Sequence, residues 1–118
     1  MKKWLLAGAV VVIFLVWAGS SLAASSAPAY ANDSSPVMYF YSEDCHFCQQ
    51  QKPVLERLAA DGFRVKLMDV KAHPDYWKAY SISGTPTFLA ANGDRKEGLT
   101  QEAALRVFLE SHGARIVQ

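Results

Sequence analysis

Cys45 and Cys48 are the only thiols in this 118-residue chain, and they stand in the pattern Cys45-His46-Phe47-Cys48. At this spacing on a helix, the two sulfurs lie about one turn apart. They can close into a disulfide, or one can attack a partner sulfur while the other waits to resolve the product. The nucleophile in that chemistry is a thiolate, and the N-terminus of a helix stabilises an anion through its free N–H groups and its dipole. His46, when protonated, would favour the Cys45 thiolate and draw the pair toward oxidising potentials; the carboxylates of Glu43 and Asp44 would oppose it. Asp44 also suits a helix cap. Phe47 suits either a contact with substrate or a packed aromatic.

Two blander readings compete for the cysteines. A structural zinc site needs four ligands, and His46, His73 and His112 fall on what read as separate helices. An inert disulfide closing so short a loop would constrain the unfolded chain very little. Redox chemistry is the stronger reading.

The elements around the pair would place it at the end of a strand. Val37 to Tyr41 is an apolar, aromatic run that reads as a buried strand, broken by Ser42-Glu43-Asp44. From Cys45 to about Ala60, Phe47, Val54, Leu55, Leu58 and Ala59 recur at helical spacing, with Gln49 to Lys52 as exposed polar positions. Pro53 should kink this helix without ending it, and Asp61-Gly62 stops it. Phe63 to Val70 reads as a second, parallel strand, Pro74 to Tyr80 as a short helix, and Thr87 to Ala91 as a third strand. Asn92-Gly93 is a hairpin signal leading to a short edge strand from Asp94 to Glu97. Thr100 is the expected cap of the last helix, whose apolar face is Ala104, Leu105, Phe108 and Leu109. The order β-α-β-α-β-β-α predicts an α/β fold with a four-stranded mixed sheet.

Residues 1–23 look like a signal peptide or an N-terminal membrane anchor. Lys2 and Lys3 precede an apolar run over residues 4–18, and small-x-small patterns end at Ala23 and Ala31. Either outcome leaves the remainder periplasmic or otherwise extracytoplasmic, by the positive-inside tendency. Residues 24–36, rich in Ser, Ala and Pro, read as a flexible linker, and residues 37–118 as one domain. The net charge is +1 with acids and bases interspersed, which excludes a basic stripe for nucleic acid.

Between Val37 and His112 the chain resembles the thioredoxin superfamily. Four features carry the likeness: the strand-turn leading to Cys45-His46-Phe47-Cys48; Pro53; Ser83-Gly84-Thr85-Pro86-Thr87; and Asn92-Gly93. The resemblance implies a minimal thioredoxin-like fold without the family's extra N-terminal strand and helix. It also implies an exported thiol–disulfide oxidoreductase acting on protein disulfides. Cys45 would attack and Cys48 would resolve, with His46 and Phe47 tuning the site. Pro86 would be cis, and the backbone of Thr85 would pair with an extended substrate segment. No metal or organic cofactor is implied, since the dithiol itself carries the electrons. The partners implied are protein thiol or disulfide substrates and a redox partner that recharges the pair.

The chain departs from thioredoxin in its His-Phe dipeptide and in Tyr39, which stands where thioredoxins carry a buried acid. Thr85 is similar to the residue found there in periplasmic disulfide isomerases, and the inserted helical domain of periplasmic oxidases is missing. Reductase or isomerase is therefore expected ahead of oxidase. The rival from another class is a non-catalytic binding module within a membrane-associated assembly.

Overall fold

Val37–Tyr41 forms the strand β1 in a computed structural model that describes residues 27–116. The apolar run 4–18 and the boundary at residue 23 lie outside the described residues. After β1 come α1 (His46–Ala60), β2 (Lys66–Asp69), α2 (Tyr76–Ala79), β3 (Thr87–Ala90), β4 (Arg95–Glu97) and α3 (Glu102–Ser111). The sheet order is β2-β1-β3-β4, parallel between β1 and β2 and antiparallel elsewhere. This is the α/β, β-α-β-α-β-β-α arrangement that the sequence predicts.

Successive side chains of a strand point to opposite faces, so β1 feeds two cores. Val37 and Tyr39 pack beneath α1 and α3 with Leu55, Leu58, Phe88, Leu105 and Leu109. Phe40 faces the other way, onto Met68, Val70, Ile82 and Leu89. That second face is thinner, and the rings of Tyr76 and Tyr80 close over it, with Tyr80 5.1 Å from Phe40. β1 therefore has no solvent face, which explains its continuous apolar run.

Three expectations need correction. The first concerns the linker, which the sequence places over residues 24–36. Its second half is docked: Ala31 forms a parallel bridge with Val65, and Tyr30 is buried in the main core. The Tyr30 carbonyl accepts the Val65 N–H at 2.7 Å, and the Asn32 N–H donates to the Val65 carbonyl at 2.9 Å. A vestigial fifth strand thus lines the β2 edge, where only linker is expected. One bridge is too short to leave a periodic signal.

The second correction concerns α1. Gln51, expected on the exposed side, is fully buried. It shares the spacing of Val54, Leu55 and Leu58, so it faces inward, where its amide grips the backbone of Thr100. The Gln51 Nε2–H donates to the Thr100 carbonyl, and the Thr100 N–H donates to Gln51 Oε1, both at 2.9 Å. The helix itself runs unbroken through Pro53. The third correction follows from this pairing. The cap position of α3 is Gln101, which makes no side-chain capping bond, because Thr100 is held by Gln51.

The C-terminal end of α3 is clamped to the β3–β4 hairpin by His112. Its Nδ1–H donates to the Phe108 carbonyl at 2.7 Å, and its Nε2–H to Asp94 Oδ2 at 2.9 Å. Only an imidazolium can donate from both nitrogens. The Asp94 bond and then the Phe108 bond raise the His112 pKa from its ordinary 6.5. The His112 bond in turn lowers that of Asp94. A raised imidazole pKa means that the folded chain holds the proton more tightly than the unfolded chain. The contribution is then complete below the unfolded value and is lost as pH rises through the folded one. Asp94 gives the opposite limit, since its contribution is lost as pH falls through its lowered value. Asp94→Asn should bring the His112 pKa back toward ordinary in an NMR titration. It should also remove the loss of stability expected of the native chain as pH rises through the raised His112 value.

Candidate active site at the Cys45–Cys48 turn

β1 ends at Tyr41, and the chain turns through Ser42, Glu43 and Asp44 into α1. The turn is tied back by the Gln49 side-chain amide, which donates to the Glu43 carbonyl at 3.2 Å. The cap residue of α1 is Cys45 itself, in an extended conformation at φ −87°, ψ 115°. Its Sγ accepts the Cys48 N–H at 3.1 Å, so the sulfur satisfies one of the free N–H groups at the helix start. A negative charge forming on that atom would be stabilised by the same bond and by the helix dipole. Cys45 and Cys48 are joined as a disulfide, with their Cα atoms 5.1 Å apart. The two sulfurs are not equivalent: Cys45 is half-buried, whereas Cys48 is only 1% exposed.

Asp44 does not cap the helix. Its carboxylate pairs with Lys71 Nζ at 2.8 Å, across the parallel β1–β2 connection. This pair also raises the Lys71 pKa. The expected opposition of Asp44 to a Cys45 thiolate is thereby partly neutralised. Both side chains are exposed, so the pair itself contributes little stability.

The segment from Gly84 to Thr87 faces the cysteines because β3 lies beside β1, with Thr87 opposite Phe40. The Thr85–Pro86 peptide is cis, and Pro86 is buried. The segment is pinned at both ends. The Thr87 hydroxyl donates to the Gly84 carbonyl at 2.7 Å, and the Gly98 N–H donates to the Pro86 carbonyl at 2.8 Å. The Thr85 carbonyl lies 3.3 Å from Cys45 Sγ. Among the described residues neither backbone polar group of Thr85 takes part in a backbone hydrogen bond. The Thr85 carbonyl instead faces Cys45 Sγ.

His46 and Phe47 point outward. His46 Nε2 lies 3.0 Å from the side-chain amide of Gln50, one turn on, and its ring sits edge-on to Phe47 at 5.5 Å. These contacts run along the outer face of α1. Phe47 is 54% exposed and takes no part in the core. Tyr39, at the position of the family's buried acid, is 2% exposed, and burial raises its pKa well above the ordinary value. It stays protonated at neutral pH and supplies no anion. Lys66 lies on β2 opposite Met38. No group of three metal-binding side chains is brought together among the described residues.

The sequence reading thus names Cys45, His46, Phe47, Cys48, Thr85 and Pro86, and the fold brings the cysteines and Thr85-Pro86 together. It misses Gln50 and Lys71. The i, i+4 spacing of His46 and Gln50 was a readable signal. Lys71 had none, because only the strand pairing brings it to Asp44.

The thioredoxin family model matches residues 26–111. A Brevibacillus choshinensis protein described as a disulfide bond formation protein is 31% identical over 118 aligned positions, which span 92% of this chain and 95% of that one. The chain belongs to the thioredoxin family. Among solved structures, a mutant thioredoxin from Halobacterium salinarum superposes with a TM-score of 0.60 at 26% identity, covering 80% of this chain and 99% of that one. The Malassezia sympodialis thioredoxin shares the fold at a TM-score of 0.53 and 22% identity, covering 73% of this chain and 81% of that one. With its Cys45–Cys48 pair at disulfide distance, this thioredoxin-family chain is a protein-disulfide oxidoreductase.

Proposed function

We propose that this chain acts outside the cytoplasm on protein disulfides as a reductase or isomerase. The observation that carries the reading is the asymmetry of the pair: Cys45 is accessible at the helix start beside Thr85, and Cys48 is covered beneath it. In the reduced enzyme the Cys45 thiolate attacks one sulfur of a substrate disulfide, the substrate S–S bond breaks, and a substrate thiolate leaves. Cys48 then loses its proton and attacks Cys45 Sγ, releasing the second substrate thiolate. The substrate gains two electrons and the Cys45–Cys48 pair is oxidised. Isomerisation omits the Cys48 step: the released substrate thiolate attacks another disulfide of the substrate, and the thiolate freed there attacks the mixed disulfide, forming a new substrate S–S bond and expelling the Cys45 thiolate. Thr85 holds the substrate backbone in strand-like pairing while this happens.

His46 bears on the direction of transfer. A cation held over Cys45 would favour the thiolate and an oxidising potential, but the His46 contacts are with Gln50 and Phe47 on the outer helix face. The name of the Brevibacillus relative favours a second reading, net disulfide formation. Insulin reduction with a dithiol supply, set beside oxidation of a reduced unfolded protein, separates them. The first reading expects turnover with insulin and little in the oxidative assay, and the reverse result would establish the second.

Export rests on Lys2, Lys3 and the apolar residues 4–18. Of the two cleavage patterns, removal after Ala23 keeps the docked Tyr30, whereas removal after Ala31 would strip a buried side chain from the core. N-terminal sequencing of the mature chain tests this: a start at Ala24 or an uncleaved anchor fits, and a start at Asn32 does not.

A further inference from the structure

Gln51 is a buried polar side chain that the exchange chemistry does not itself use. It lies on the turn of α1 that follows Cys48, where an apolar residue would complete the stripe of Val54, Leu55 and Leu58. Instead its amide holds both backbone polar groups of Thr100, at 2.9 Å each. Thr100 passes the hold onward. Its Oγ1–H donates to the Gly98 carbonyl at 3.1 Å, and the Gly98 N–H donates to the Pro86 carbonyl at 2.8 Å. Four hydrogen bonds thus link the helix that carries the cysteines to the segment that faces them.

That segment needs an anchor. Both ladders of β3 end at Thr87, opposite Phe40 on one side and Glu97 on the other. Thr85 and Pro86 lie beyond this end, with the Thr85 carbonyl 3.3 Å from Cys45 Sγ. The Gly98 bond carries the hold past Thr87, and Gly98 in turn sits in a loop that Thr100 and Gln51 fix. Apolar contacts tolerate sliding, whereas buried hydrogen bonds weaken steeply when their geometry is disturbed. We infer that Gln51 is a positioning residue for the substrate: through Thr100 and Gly98 it holds Thr85 and Pro86 where an extended peptide can pair beside Cys45. This role rests on the proposed pairing of Thr85 with the substrate backbone.

The test is thiol–disulfide exchange of the oxidised full chain with two thiols of matched acidity, N-acetylcysteinamide and a blocked heptapeptide with a central cysteine. In each case the added thiolate attacks Cys45 Sγ, the Cys45–Cys48 bond breaks, and Cys48 leaves as the thiolate. The native chain should react about threefold to tenfold faster with the peptide, the worth of roughly one backbone hydrogen bond. Thr100→Val keeps the shape and both Gln51 bonds but removes the hydroxyl link to Gly98. It should bring the two rates to within about twofold of each other. Gln51→Leu should do the same where it folds. The rate with N-acetylcysteinamide should hold in both, because Cys45 Sγ keeps its bond from the Cys48 N–H. Leu109→Val weakens the core outside these bonds and should leave the native preference intact. A preference that survives in Thr100→Val, or that Leu109→Val erases equally, overturns the role of Gln51 while the substrate reading stands. A native chain with no preference for the peptide overturns the pairing at Thr85, and the role of Gln51 with it.

Discussion

Cys48→Ala should convert the enzyme into a trap that accumulates protein mixed disulfides through Cys45, one per chain, with no net reductase turnover. The first step needs only the accessible sulfur at the start of α1, stabilised by the Cys48 N–H and the helix dipole. The second step needs the covered sulfur of Cys48, so its removal stalls the reaction at the covalent intermediate. Cys45→Ser should behave differently. A serine hydroxyl is not ionised at neutral pH, and Cys48 is only 1% exposed, so exchange should fall to background with no trapped species. Non-reducing gels of the two variants, with and without added dithiol, check both. Trapping through Cys48 in the Cys45→Ser chain would reverse the roles. Partners retained undiminished by a chain lacking both cysteines would favour a binding module.

The second large effect is structural. Gln51→Leu keeps a bulky side chain but strands the N–H and C=O of Thr100, both of which Gln51 pairs at 2.9 Å inside the protein. Each buried group left unsatisfied costs about 1–3 kcal/mol, so the variant should lose about 3 kcal/mol. That is a large share of the roughly 5–15 kcal/mol typical of a whole domain. Urea unfolding should show a lower midpoint with an unchanged slope. Gln51→Glu should also destabilise the chain, because a carboxylate cannot donate to the Thr100 carbonyl and would be buried as a charge. A Gln51→Leu chain as stable as the native one would mean that the pairing to α3 contributes nothing net.

Much of the fold was legible because its signals are local and periodic. The run from Val37 to Tyr41, the helical spacing through Leu58 and the Asn92-Gly93 hairpin each report on a few neighbouring residues. Cys45 and Cys48 were legible for the same reason. What escaped detection depends on residues far apart in sequence. Gln51 is polar by type, and only the packing of α1 against the start of α3 makes it an interior residue. Tyr30 sits in a stretch whose composition reads as linker, yet one bridge to Val65 docks it. The position of His46 was only partly legible: its i, i+4 spacing offers Gln50 as a partner, but Cys45 is its chain neighbour, and the structure decides for Gln50. The pairing of Lys71 with Asp44 likewise exists only because β2 runs parallel beside β1.

The most direct test of the redox assignment is the equilibrium of the Cys45–Cys48 pair in a series of glutathione or dithiol buffers, read by alkylation of free thiols. A working redox centre in this family should show one reversible two-electron transition, between about −270 mV at the thioredoxin end and about −120 mV at the strongly oxidising end. The reductase reading places it toward about −270 mV, and the isomerase reading nearer about −180 mV. A pair that stays closed below about −300 mV would behave as a structural disulfide and contradict the assignment.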